Sequence, residues 1–373
     1  MSSVENNREW EDLSGDPINN PFKPSDIKMD TQTVNLGYLI EMMKYDEINL
    51  QPDLQRGEGL WTDEQKSRLI ESILLGLPLP SFYFYEESQE GEGTYKWAVI
   101  DGLQRLGTFR SFILEQDESK KLHLRNLEFI TEYNGKNYDA LSREDQRRIS
   151  GSKITLNIIR KGTPDEVKYV IFKRVNTAGL HLTPQEIRHA VYHGRPAEFV
   201  RELAESPEFI EATAASISPQ RMDDRYYANR FIAFYLQDYN TDYNGDLDLF
   251  MNTGMSLLKD KTREELQAIK DAFCRSMKLA FEIFGSETFR KPYRARQPQV
   301  SKAIFDTLSV NLAKLRVEEQ SILLARKGLF RQEMTDLLNK SDFDKAISSS
   351  TGQQSHIKTR FGLVESLIRR IIQ

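Results

Sequence analysis

The residues best suited to chemistry form the run Asp101-Gly-Leu-Gln-Arg105, between an apolar segment of β-type residues and a helical pattern. A helix start leaves backbone N–H groups unpaired and carries a positive partial charge, so it attracts anions. Gly102 removes a side chain that would block a phosphate, and Gln104 and Arg105 add hydrogen-bond donors. The spacing predicts a phosphate cradle. It also fits a structural alternative, in which Asp101 is an N-cap, Gly102 a turn residue and Arg105 a solvated side chain.

A second group of candidate residues lies upstream, in the segment 50–61. Pro52 and two glycines make this segment extended or looped. Arg56 offers a positive charge there and Trp61 a face for stacking. Trp61 fits a core or hinge residue equally well.

Local signals define the elements around these residues. The capping box Thr62-Asp-Glu-Gln65 predicts a helix start, and Gly76 predicts its end. The segments 81–85 and 95–100 read as two strands joined by the turn residues 90–94, so the second strand leads directly to Asp101. The helix between Thr62 and Gly76 carries one apolar stripe, formed by Leu69, Ile70, Ile73, Leu74 and Leu77.

The second half of the sequence reads as helical. Helix starts are indicated at Thr163, Thr183, Ser206, Ser218, Thr262 and Ser301. The last segment, 357–372, has the pattern of an amphipathic helix whose apolar face must be covered. We therefore expect a polar N-terminal arm over residues 1–30, a mixed domain over 31–160 and a helical domain over 161–373.

Several of these motifs together resemble a known family. They are Gln51-Pro-Asp-Leu-Gln-Arg56, Trp61, Leu69-Ile-Glu-Ser-Ile73, Gly76-Leu-Pro-Leu-Pro80 and Ala98-Val-Ile-Asp-Gly-Leu-Gln-Arg-Leu-Gly-Thr-Phe109. In this order and spacing they resemble the DGQQR-motif family, a ParB/sulfiredoxin-like domain of GmrSD-type modification-dependent restriction enzymes and SspE-like defence proteins. The likeness continues through the run from Phe172 to Tyr192 and so covers about residues 33–195.

The resemblance implies an α+β fold, with a ParB-like N-terminal domain followed by a mainly α-helical domain. It also implies binding of a nucleoside triphosphate, alone or with Mg²⁺, and a role in antiphage defence. It assigns catalysis to Asp101, Gln104 and Arg105, and nucleotide binding to Gly102, Gln104, Arg105 and Arg56. Leu103 departs from the family pattern, which has a glutamine there, and this puts hydrolysis in more doubt than binding.

The second signature of this family lies between two predicted helices. Asn176 and Gly179 would approach the nucleotide, with Glu186 and Arg188 behind them, and we count Asn176 as a nucleotide-binding candidate. In the structural alternative Gly179 supplies a positive φ, Asn176 caps a helix end and Glu186 completes a capping box.

Metal-dependent chemistry has little sequence support. His189 and His193 have the i, i+4 spacing of a metal pair, but no third ligand stands in a matching motif, so we interpret them as partly exposed helix residues. The acidic loop 240–248 places Gly245 correctly for a calcium loop, yet Met251 occupies the position of its bidentate glutamate. We therefore predict no metal ligands.

Nucleic-acid contact is indicated by local basic groups. The net charge is −5, so the whole chain provides no electrostatic footprint for DNA. Cations are grouped with aromatics in the loop 289–296, which suits phosphate contacts and stacking. The candidates for binding double-stranded DNA there are Arg290, Lys291, Arg294 and Arg296. Arg221, Arg225 and Arg230 form a second basic group.

Compartment and function follow as expectations. The first eight residues contain no secretory signal pattern, and no apolar run is long enough for a membrane helix, so we expect a cytoplasmic protein without membrane contact. Our functional hypothesis is a ParB-like nucleotide-binding protein that recognises or restricts foreign DNA, working with a separate nuclease or defence subunit. One alternative is an autonomous metal-dependent nuclease. The other is a helical adaptor without enzymatic activity.

Overall fold

The computed structural model describes residues 23–50, 61–87, 96–175, 182–291 and 299–373. They belong to two compact units, an N-terminal unit ending at His181 and a helical unit beginning at Leu182. The fold is α+β, with its sheet in the N-terminal unit, as the sequence predicts.

One mixed five-stranded sheet forms the centre of the N-terminal unit. Its spatial order is β1-β5-β3-β4-β2. Pairing is antiparallel between β1 and β5 and between β3 and β4, and parallel between β3 and β5 and between β2 and β4. The strands are β1 (Met29–Asn35), β2 (Ile48–Asn49), β3 (Phe82–Glu87), β4 (Lys96–Asp101) and β5 (Lys153–Ile159).

Helices cover this sheet and bury their apolar residues against it. The core includes Ile70, Phe84, Leu106, Phe109 and Ile158, which have no exposed surface. The helices are α1 (Leu36–Lys44), α2 (Asp63–Leu74), α3 (Leu103–Phe109), α4 (Arg143–Gly151) and α5 (Asp165–Val175), with 3-10 turns at Pro24–Asp26, Thr131–Tyr133 and Tyr138–Ala140.

The boundary between the units differs from the expected division at residues 160 and 161. Helix α5 packs within the N-terminal unit, where Val167 and Phe172 are buried. The Phe172 ring lies 6.1 Å from that of Tyr85 on β3. A helix start signal indicates where a helix begins but not which core covers its apolar face. For this reason the sequence pattern predicts α5 in the helical domain, whereas the structure has it in the N-terminal unit.

The polar face of α2 anchors the irregular segment that follows Leu122. The Glu71 carboxylate accepts backbone N–H bonds from Phe129 at 2.7 Å, Ile130 at 3.1 Å and Glu128 at 3.2 Å. Burial opposes ionisation of Glu71, but these three donors outweigh it and hold its pKa below the ordinary value. The predicted capping box of α2 is present, whereas Leu77 is exposed, because the helix ends before Gly76 turns the chain at φ 75°.

Helices of this unit begin near the start signals predicted at Thr183, Ser206, Ser218, Thr262 and Ser301, and further helices begin where no signal is predicted. Complete capping boxes occur at Thr183 with Glu186 and at Thr262 with Glu265. The helices are α6 (Pro184–Val191), α7 (Arg195–Ala204), α8 (Pro207–Ala212), α9 (Asp223–Leu236), α10 (Leu247–Lys259), α11 (Arg263–Phe284), α12 (Lys302–Ala313), α13 (Val317–Ala325), α14 (Lys327–Leu338), α15 (Ser341–Ser348) and α16 (Gln354–Ile372), with 3-10 turns at Gln220–Met222 and Gly285–Glu287.

The terminal helix α16 is covered by its own unit. Its apolar face, which includes Phe361, Val364 and Ile368, is buried against α12, α14 and α15. Among the described residues, no helix is both long and apolar enough to span a membrane.

A buried charged group connects three elements of the helical unit. Asp306 on α12 accepts hydrogen bonds from Arg230 on α9 at 2.8 and 2.6 Å, and from Arg360 on α16 at 3.3 Å. All three side chains are almost completely buried. Arg230 therefore has a structural partner in the protein interior, although the sequence groups it with surface cations.

Replacing Glu71 tests the anchoring role of α2. We expect Glu71→Gln to lower the free energy of unfolding by about 2 kcal/mol at neutral pH, because an amide presents its own donors to three backbone N–H groups. The amides of residues 128–130 should exchange faster with solvent. Tryptophan fluorescence during urea unfolding and amide hydrogen exchange measure the two effects.

The stability difference should depend on pH. Since the folded-state pKa of Glu71 is lowered, its contribution is complete near neutral pH and disappears as the pH falls through that pKa. The exposed Glu144 provides the control variant Glu144→Gln, which should change neither quantity. An equal effect of the two substitutions would contradict the anchoring role.

Candidate functional site

The predicted strand, glycine and helix are present at the DGLQR run. Strand β4 ends at Asp101, Gly102 has a left-handed conformation with φ 106° and ψ 6°, and α3 begins at Leu103. A π-helical turn, Arg110–Leu114, continues α3. Such turns are rare and occur often at functional sites, which singles out this helix within the N-terminal unit.

The end of β4, Gly102 and the first turn of α3 form a corner of the chain. The Arg105 side chain is buried at this corner and is not solvated. Its side chain donates to the Asp101 Oδ2 atom at 2.8 Å, to the Ser81 carbonyl at 3.2 Å and to the Pro80 carbonyl. Its guanidinium carbon lies 4.3 Å from the ring centre of Phe82. Arg105 therefore ties the start of β3 to the end of β4.

The charges of this pair are largely removed from water. Burial raises the pKa of Asp101 above its ordinary value, although Arg105 and the Gly102 N–H act in the opposite direction. Burial likewise lowers the pKa of Arg105, against the attraction of Asp101. Desolvation thus opposes ionisation of both groups, and the hydrogen bonds of Arg105 to the two carbonyls offset part of its cost.

Gly102 makes room for an aromatic ring. A Cβ atom at this position would lie 2.4 Å from the Phe82 Cδ1 atom, closer than nonbonded atoms approach. The space that we expected to admit a phosphate over Gly102 is thus filled by Phe82. The cradle expected from the sequence is closed on this side of the corner.

The remaining motif residues differ in burial, since one side chain packs on the core and two are partly exposed. Leu103 packs against the hydrophobic core, so the family's glutamine position is used here for burial. Gln104 is half-buried, and its side-chain amide forms no hydrogen bond with the described residues. The Asp101 side chain keeps about a third of its surface exposed, at 33%. Asp101 and Gln104 are therefore the parts of the motif that can meet a ligand.

The two other nucleotide-binding candidates, Arg56 and Asn176, lie outside the described residues, as does Gly179. Trp61 is described and packs against the core of the N-terminal unit, in agreement with its structural alternative.

Comparison with known protein families gives a match, and it covers the segment that contains the DGLQR run. Residues 39–193 match the family described as GmrSD restriction endonuclease, N-terminal domain. This match supports a GmrSD-type N-terminal domain within the chain. No curated protein matches the chain. The match connects the protein with DNA restriction, and it includes both the DGLQR run and α6.

The last part of the matched segment, α6, belongs structurally to the helical unit. Glu186 forms its capping box with Thr183 and also binds Arg221, with Nε to Oε1 at 3.1 Å. Arg188 is completely buried, donates to the Asn252 Oδ1 atom at 2.9 Å and pairs with Asp248. These contacts, which sequence reasoning missed for Arg188, connect α6 to the 3-10 turn Gln220–Met222 and to α10.

The described part of the predicted DNA-binding loop has a structural role. Arg290 and Lys291 are each 9% exposed. Arg290 donates to the Thr213 carbonyl at 2.7 Å, and Lys291 pairs with Ser348 and with Asp344 at 3.7 Å. Because these cations would have to leave protein partners to reach DNA, neither enters our proposal. Arg294 and Arg296 lie outside the described residues.

The histidine pair also differs from expectation. His189 is buried, with its Nδ1 atom 3.4 Å from the Arg225 Nη1 atom, while His193 is exposed. Over the ranges that the structure describes, no three His, Cys, Asp or Glu side chains lie close enough to hold a metal ion.

Two alanine substitutions in one motif test the geometry of the corner. Gly102→Ala should lower the free energy of unfolding by about 2 kcal/mol or more, because it adds strain at positive φ and a clash with Phe82. Gly107→Ala, on α3 with open space around its Cβ position, should be neutral or stabilising by up to about 1 kcal/mol. Urea unfolding measures both, and equal losses would contradict the close packing at Gly102.

Proposed function

We propose that this protein acts in the restriction of foreign DNA and that its GmrSD-type domain binds a nucleoside triphosphate. The family match and the DGLQR run at a strand-to-helix corner support the proposal. The observation that carries it is the contrast within the motif. Arg105 is buried on protein acceptors, whereas the neighbouring Gln104 amide has no described partner.

The proposed roles follow from that contrast. Gln104 donates to a phosphate or base of the nucleotide, and Arg56 and Asn176 supply further donors. Arg105 acts as a positioning residue, which fixes the Asp101 carboxylate through the 2.8 Å contact. Gly102 serves the packing of Phe82 and does not contact the phosphate.

The corner fits a nucleotide that carries Mg²⁺. Magnesium in such sites is held by one or two carboxylates together with the phosphates, and Asp101 provides one partly exposed carboxylate. When bound, Mg²⁺ would neutralise phosphate charge. Since Leu103 replaces an amide and faces the core, we propose nucleotide binding as the primary activity, with hydrolysis secondary.

In this scheme a separate nuclease subunit cleaves the strands of double-stranded DNA. An autonomous nuclease gains no support from the described residues, which bring together no three metal-ligating side chains. A helical adaptor that uses α16 loses its main support, because the apolar face of that helix is buried within the unit.

Titration calorimetry of the full chain tests nucleotide binding. We expect saturable binding of at least one of ATP, GTP, CTP and UTP in the presence of MgCl₂. Gln104→Ala and Arg56→Ala should each weaken it by about 10-fold, the typical effect of losing a charge-assisted hydrogen bond. Phosphate release in the same samples measures hydrolysis.

Gln116→Ala, at an exposed glutamine of the same unit, is the control and should leave the affinity unchanged. Arg105→Ala is unsuitable as the main test, because loss of binding would then follow from disruption of the corner. Absence of saturable binding for all four nucleotides would refute the proposal, as would an equal loss in Gln104→Ala and Gln116→Ala.

A further inference from the structure

The helical unit contains a cavity of about 420 Å³ beside the end of α9 and one face of α10. This volume is within the range of small-molecule sites in proteins. Its apolar wall is aliphatic and is formed by Leu236, Leu249 and Leu257. Phe250 also lines the cavity but is only 3% exposed, so among the described residues the wall offers little aromatic surface for stacking a planar ring.

The polar lining of the cavity consists mainly of acceptors. Gln237 is 7% exposed, and its Nε2 atom donates to the Ala233 carbonyl at 3.1 Å and to the Phe250 carbonyl at 2.9 Å. Both N–H groups of the amide are used, so the amide is held in one orientation. Its Oε1 atom has no hydrogen bond with a described residue and remains an acceptor.

Two other lining residues also present hydrogen-bond acceptors. Thr253 donates its hydroxyl hydrogen to the Leu249 carbonyl at 3.0 Å, which leaves its oxygen as an acceptor. Asp242 is exposed at the rim, where its carboxylate accepts from the Asp238 N–H at 2.9 Å and the Thr241 hydroxyl at 2.8 Å and keeps further acceptor capacity on both oxygens. Asn244 can donate, but no lysine or arginine among the described residues lines the cavity. A ligand that satisfies this lining must bring its own donors.

The charge around the cavity favours a cation. The segment 238–248 contains four aspartates and no lysine or arginine. Asp248 is paired with Arg188, while Asp238 and Asp242 are exposed. An anionic ligand such as a DNA phosphate would be repelled from this rim, whereas an ammonium group would be attracted.

We propose that this cavity binds an aliphatic ammonium group, with its carbon chain on the three leucines and its N–H donors on Gln237, Thr253 and Asp242. Free alkylamines and the lysine side chain of a polypeptide share this chemistry. The site lies within the helical unit, so the inference does not depend on nucleotide binding by the N-terminal unit.

The test compares probes of equal length in calorimetry and heteronuclear NMR titrations of the full chain. We expect 1-aminohexane to bind saturably and to shift resonances of Gln237 and Thr253. Hexan-1-ol and hexanoate should bind at least about 10-fold more weakly, because the first lacks the charge and the second has the wrong sign. Spermidine tests a free polyamine, and the capped tripeptide Leu-Lys-Leu tests a lysine source.

Two substitutions with matched exposure keep the test specific. Leu257→Lys places an ammonium group of the chain itself beside the cavity and should abolish amine binding. Leu363→Lys on α16, at a leucine with the same 37% exposure, should leave it unchanged. Asp242→Asn should weaken it by about 3- to 10-fold. Thermal unfolding of each variant confirms that it is folded.

Several results would overturn the inference. They are the absence of saturable binding by 1-aminohexane, spermidine and the tripeptide alike, hexan-1-ol binding as tightly as 1-aminohexane, and Leu363→Lys reducing amine binding as much as Leu257→Lys does. Tighter binding of the tripeptide than of the free amines would support the proposal and identify a polypeptide lysine as the source.

Discussion

The N-terminal unit depends on a guanidinium that is held inside the protein. Arg105 connects the carbonyls that precede β3 with the Asp101 carboxylate that ends β4, and it lies on the ring of Phe82. A buried ion pair alone is costly to desolvate. Here the two carbonyl acceptors and the aromatic face provide the remaining contacts of the guanidinium. These contacts fix the end of β4 and the first turn of α3 relative to the start of β3.

This interaction changes how the DGLQR run is understood. A sequence motif with an arginine and a glycine suggests direct contact with a phosphate, but in this protein both residues organise the corner. The ligand-facing part is reduced to the Gln104 amide and the exposed portion of Asp101. The helical unit follows a similar principle, because its buried arginines Arg188, Arg230 and Arg360 bind carboxylates on neighbouring helices.

Features that depend on local backbone chemistry could be predicted from the sequence. The capping boxes at Thr62 and Thr183 and the strand before Asp101 are of this kind, since nearby residues satisfy the first N–H groups of a helix. The pairing of Asp101 with Arg105 is not among the predictions, because Asp101 ends β4 and the helical i, i+4 rule applies only within α3. Their other partners could not be predicted, because the Pro80 and Ser81 carbonyls reach Arg105 only through the pairing of β3 with β4. Arg290 and Lys291 look like surface cations in sequence because their acceptors are far away in the chain.

The most direct measurement of the central claim is a double-mutant cycle on the free energy of unfolding, with Asp101→Ala, Arg105→Ala and the double variant. If the two side chains form one buried unit, the losses are not additive, and the coupling energy is about 1–3 kcal/mol. Additive losses, with a coupling energy near zero, would contradict the account, because Arg105 would then be held without Asp101.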